Sequence, residues 1–171
     1  MGLRRAIARA CGMVDMDDTV WTPDDVACMA SRLTVVITTS PASDHPRTEL
    51  VEQVLGSFSF VDGLASCRTI IVCDGYKVAK SCNFRGGKVD DVRRANYEGY
   101  KQALRSKIAS KHPGWETIEL LELQEHCGFG FAVREALALV STEYLCVVQH
   151  DRTFMYVYAF HAMLLHACSL N

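Results

Sequence analysis

Four short runs of apolar, largely β-branched residues recur along the chain, and each ends abruptly in polar residues. They are "RLTVVITTS" (32–40), "CRTIIVCDGY" (67–76), "TIELLEL" (117–123) and "EYLCVVQ" (143–149). Runs of this length and residue type are read as strands buried on both faces. Between them lie segments with helical spacing. Leu50, Val51, Val54, Leu55 and Phe58 share one helix face, as do Tyr97, Tyr100, Leu104 and Ile108 before Pro113 and Gly114. A third helix, "GFAVREALALV", would face inward on Val133, Ala136, Leu137 and Val140. Strands alternating with helices predict an α/β fold, a mostly parallel sheet with helices on both faces.

The order divides the chain into an N-terminal extension (1–31), one α/β domain (32–154) and a short C-terminal helix or tail (155–171). With 171 residues, 49% of them apolar, the chain is long enough for a single hydrophobic core. Its formal net charge of -2 supplies no global basic field, so no nucleic-acid partner is expected.

The eight cysteines lack the close pairing of a zinc site, and Cys73 and Cys146 sit inside apolar runs. Free thiols in a reducing, cytoplasmic compartment are the expectation. At the N-terminus, Arg4, Arg5 and Arg9 resemble a targeting helix, but Asp15, Asp17 and Asp18 follow at once, so a frayed extension is expected instead. The longest apolar stretch, "FMYVYAFHAMLLHA" (154–167), is too short to span a bilayer and contains His161.

In parallel sheets ligands bind beyond the carboxyl ends of the strands. Those ends are Thr38, Thr39, Ser40 and Pro41; Asp74 and Gly75; Glu125, His126 and Gly128; and Gln149, His150 and Asp151. Alone, each reads as an ordinary turn or helix entry. Together they define one crevice. A basic segment at 77–88, with Lys77, Lys80, Arg85 and Lys88 around Gly86 and Gly87, reads as a solvated loop or a lid over phosphates.

The ordered set "VVITTSP", "IIVCDGY", "EHCGFGFAVREAL" and "VVQHD" resembles the nucleotide-sugar-binding half of GT-A glycosyltransferases, particularly the family 2-like enzymes. That family has a Thr-rich loop after its first strand, an Asp-Gly turn after the second, a Gly-containing helix entry with an Ala-Arg pair, and a strand ending in Asp-x-Asp. The resemblance covers residues 32–154 and implies a Rossmann-like fold. It also implies a nucleoside diphosphate sugar as ligand, Mn2+ or Mg2+ as cofactor and a hydroxyl acceptor.

Position by position, the resemblance puts Thr39, Ser40 and Pro41 at the base pocket and Asp74 on the imino group of a uracil-like base. Gly128 would admit the nucleotide to the backbone, and Arg134 would pair with phosphate or hold Asp151, unless it is a solvated helix residue. Asp151 would bind the metal with His150 as an added ligand, while Gln149, standing in for the first acid, would hydrogen-bond a hydroxyl.

Family members continue into an acceptor-binding half that supplies a general base. Here 20 residues follow Asp151, and the stretch from Met155 contains no Asp or Glu. No catalytic residue is assigned on this basis. A truncated product, a binding module or a partner chain that supplies the acceptor half are the alternatives. A metal dyad of HD-type phosphohydrolases at His150-Asp151 is disfavoured, since those lie in helical proteins. A dinucleotide fingerprint at Gly128-x-Gly130 is disfavoured too, because it lacks the third glycine and follows the third strand.

Overall fold

The computed structural model describes residues 22–155. The first described element lies mostly within the stretch expected as an N-terminal extension: α1 (Pro23–Arg32) buries Met29 in the core, and Arg32 pairs with Glu143 at 2.6 Å. It leads directly into β1 (Leu33–Thr39), whose seven residues are all buried. There follow α2 (Glu49–Ser57), β2 (Arg68–Cys73), a small ribbon of β3 (Lys77–Val78) and β4 (Lys88–Val89), and the long helix α3 (Asp91–Ala109). Then come β5 (Ile118–Glu122), α4 (Phe129–Leu137) and β6 (Tyr144–Gln149). The reading of 155–171 as a helix or tail, the targeting-helix reading, Cys11 and Cys168 lie outside the described residues.

The main sheet has four parallel strands in the order β5-β2-β1-β6. The expected α/β class holds. From β1 the chain steps outward through β2 to β5, then returns to the opposite side of β1 as β6. This reversal makes the gap between the carboxyl ends of β1 and β6 a topological switch point.

Helices cover both faces unequally. On one face, Val51, Val54 and Phe58 of α2 and its end pack with Tyr97, Tyr100 and Leu104 of α3 over Val35, Ile37, Ile71 and Cys146. Helix α3 starts cleanly because the Asp90 side chain accepts a 2.8 Å hydrogen bond from the Arg93 amide. On the other face, α4 rests on Val36, Ile70 and Val72 through Ala132 and Ala136.

The predicted helix face holds at Ala136 and at Val140, which packs against the same cluster, and is corrected at Leu137, which is exposed, and at Val133, which is only partly buried. Two alanines four residues apart let the helix approach the sheet closely, which a Val-Leu stripe would prevent. On the same face of β6, Leu145 packs against this cluster and Val147 is exposed.

Among the described residues, Cys28, Cys67, Cys73, Cys82, Cys127 and Cys146 are free thiols. Burial pushes Cys67 and Cys146 up to about 11 and Cys73 up to about 12, so these three act as core hydrophobes. No described helix is long and apolar enough to cross a membrane.

Candidate functional site

At the switch point the ends of the sheet strands open into a cavity of about 260 Å3. Thr38 and Thr39 end β1 and Ser40 follows it, Asp74 follows β2, His126 and Gly128 lie between β5 and α4, and Gln149 ends β6 with His150 and Asp151 just beyond. All four predicted strand ends therefore meet. Each arrives there for the same local reason: an apolar run stops where the sheet stops, and the next residues must be polar because their backbone groups leave the ladder.

Asp74 organises the floor. It is 4% exposed, yet its carboxylate is not bare. Oδ1 accepts hydrogen bonds from the amides of Gly75 at 2.9 Å and Cys127 at 2.8 Å, and Oδ2 accepts one from Gly128 at 2.9 Å. His126 Nδ1 stands 2.8 Å from Oδ2 without the alignment of a hydrogen bond, so that approach is a charge contact when the imidazole is protonated. The Asp74 carbonyl accepts from the Tyr97 hydroxyl at 2.9 Å. One buried side chain thus ties the end of β2 to the loop that opens α4.

Two glycines permit this closeness. A Cβ on Gly75 would lie 2.3 Å from the Glu125 carbonyl carbon, and one on Gly87, where φ is 63°, would lie 2.1 Å from the His126 ring. The basic segment expected as a loop or lid is instead fastened here, as the β3–β4 ribbon. Gly75→Ala should lower stability by about 2 kcal/mol or more, because backbone rather than a flexible side chain must move. Urea denaturation measures it. A parent-like midpoint would show that the 125–128 loop yields freely.

The other predicted residues divide. Thr39 and Ser40 line the cavity, whereas Pro41 is buried beside it without lining it. Gln149, His150 and Asp151 do line it, and the Asp151 carboxylate is half-exposed with Arg152 at 3.9 Å. Arg134 is not brought in. Its guanidinium is 65% exposed, bonded to Glu135 at 2.9 Å and stacked 4.8 Å over Phe131, as expected of a solvated helix residue. Phe84 from the ribbon and Phe129 from the first turn of α4 also line the cavity, and nothing in the strand-end pattern pointed to them. Phe84 stands two residues before Gly86 and Phe129 stands between Gly128 and Gly130, and that nearness to glycine was the available signal.

Beneath the cavity, His45 stacks on Tyr100 at 4.1 Å and Tyr97 at 5.1 Å, and its Nδ1 accepts from the Ala42 amide at 3.2 Å. Burial, reinforced by nearby His150 and opposed by Asp44, lowers its pKa to about 4. The ring is therefore neutral at ordinary pH.

Fold and cavity together define an open, doubly wound α/β domain with a crevice at its switch point. No protein-family model matches the chain, and no curated protein matches it in sequence. Two solved structures are similar to it. One is the mannosyltransferase PcManGT from Pyrobaculum calidifontis in complex with GDP-Man and Mn2+, at 20% identity and a TM-score of 0.47, covering 74% of this chain and 29% of that one. The other is S. aureus TarS, at 14% identity and a TM-score of 0.49, covering 81% of this chain and 20% of that one. The chain spans less than a third of either.

Proposed function

We propose that the crevice binds a nucleoside diphosphate sugar and that the domain serves transfer of the sugar to a hydroxyl acceptor. The observation that carries this reading is the meeting of all four strand ends with the start of α4 in one cavity. A helix N-terminus favours phosphate, Gln149 and Thr38 suit ribose or sugar hydroxyls, and His126 and His150 can donate to oxyanions. The sequence resemblance to the nucleotide-sugar half of GT-A enzymes agrees with that chemistry.

A divalent ion fits this donor set only loosely. Among the described residues no three His, Cys, Asp or Glu side chains converge on one point. His150 and Asp151 would hold Mn2+ or Mg2+ as a pair, with phosphate oxygens and water completing the shell. When bound, the ion would offset charge on the departing diphosphate. Asp74 is fully engaged, so the base that takes the acceptor proton would come from outside the described residues or from a partner chain.

The second reading, a nucleotide-binding domain without transfer activity, is favoured by Gln149 where the family pattern has an acid. Thermal shift with UDP, GDP and CMP, with and without Mn2+, tests the binding common to both. Mn2+ alone should leave the melting temperature unchanged. Saturating nucleotide with Mn2+ should raise it by roughly 5 to 10 °C, and Asp151→Ala should remove the metal-dependent part only. No shift with any nucleotide would end the proposal. Release of sugar to an added hydroxyl acceptor would separate the transferase from the binding domain.

A further inference from the structure

The obvious reader of a nucleobase edge, the Asp74 carboxylate, has almost no capacity to spare. An ionised carboxylate offers about four lone-pair sites. Three accept the amides of Gly75, Cys127 and Gly128, and His126 crowds the remaining one at 2.8 Å. The residue is a strut under the cavity.

The cavity is also lined by two phenylalanines. Phe84, in the short 3-10 turn between β3 and β4, is 36% exposed, and Phe129, at the start of α4, is 52% exposed. Both rings offer apolar surface to whatever enters the cavity. Phe84 is also held in place. The Arg93 guanidinium lies 5.2 Å from its ring centroid, and Arg93 is itself drawn to Asp90 at 3.8 Å. The ribbon bearing Phe84 is fastened to the site where Gly87 meets His126. Thr38, Gln149 and Asp151 supply the polar lining.

From this placement we infer that Phe84 and Phe129 grip the nucleobase by its faces, and that Asp74 shapes the pocket without reading the base edge. The inference rests on the nucleotide reading above and names the residues that select the base. Stacking tolerates any base, because every base has a π face. UDP and GDP should therefore bind with affinities within about tenfold of each other. Inorganic pyrophosphate, which has no ring, should bind without help from either phenylalanine.

Isothermal titration of the purified chain with UDP, GDP and pyrophosphate, each with Mn2+, tests this in the parent, Phe84→Leu and Phe129→Leu. Both rings are exposed, so both variants should melt with the parent. Each should bind UDP and GDP about tenfold more weakly and pyrophosphate unchanged. In Phe84→Trp, UDP and GDP should quench the new fluorescence while pyrophosphate does not. Parent-like nucleotide affinity in both leucine variants overturns the inference, as does an equal loss for pyrophosphate. A parent that binds none of the three probes overturns the nucleotide reading itself, so the two failures are distinguishable.

Discussion

Asp74→Ala should lower the unfolding free energy by about 4 kcal/mol and the melting temperature by roughly 10 °C. The substitution strips three partners at once, leaving the amides of Gly75, Cys127 and Gly128 without an acceptor. Hydrogen bonds to a charged group contribute about 1.5 to 3 kcal/mol each, and a buried donor left unpaired costs about 1 to 3. Water entering from the open cavity offsets part of the loss, which is why the expectation lies well below the simple sum. Asp74→Asn should fall between parent and alanine, because its carbonyl still accepts while its NH2 group opposes one amide. Nucleotide binding should weaken as well, since the strut holds the loop that opens α4. Urea titration of the three proteins gives the order, and an alanine variant with the parent midpoint would mean that solvent replaces the carboxylate completely.

Acid should destabilise the fold well before its carboxylates titrate. His45 has a folded pKa of about 4 against 6.5 for the free side chain, chiefly through burial. The unfolded chain therefore binds the proton more readily between those values. The sign follows directly: stability is complete above pH 6.5, falls as pH drops, and is fully lost to this group below pH 4. At 1.36 kcal/mol per unit the loss is about 3 kcal/mol.

Glu52, Glu119 and Glu122 are held below their usual value of 4.5, first by side-chain hydrogen bonds from Thr48, Arg68 and Arg105 respectively. Their contribution is present above pH 4.5 and disappears below it, a lower window. The Glu windows lie below pH 4.5, so between pH 6.5 and 4.5 the difference between the parent and a His45 variant reports His45. His45→Phe keeps a flat ring against Tyr100 and removes the buried, unpartnered Nε2. Its stability should fall less steeply across that interval than the parent's. A slope equal to the parent's would place the proton uptake elsewhere.

Much of the architecture could be read from residue order. The four apolar runs became the four parallel strands, and the polar residues after them line one cavity. The misses have physical causes. Ala136 faces the sheet as expected, but beside it stands Ala132 rather than Val133 or Leu137, because close approach of a short helix selects for size, which hydrophobic periodicity does not report. The ribbon at 77–89 pairs through strands of two residues, too short for any alternation to show. Arg134 matched a family position in sequence, yet its helix turns it toward Glu135 and solvent.

The linear order of residues carried the α/β class, the burial of the strands and the polar character of their ends, because these depend on local periodicity and on where an apolar run stops. Folding in three dimensions settled the rest. It placed β6 beside β1, saturated Asp74 with amides from a loop more than fifty residues away, and brought Phe84 and Phe129 to the same cavity. Each of these is a contact between distant segments, and hydrophobic pattern specifies which face of an element is buried without specifying its neighbour.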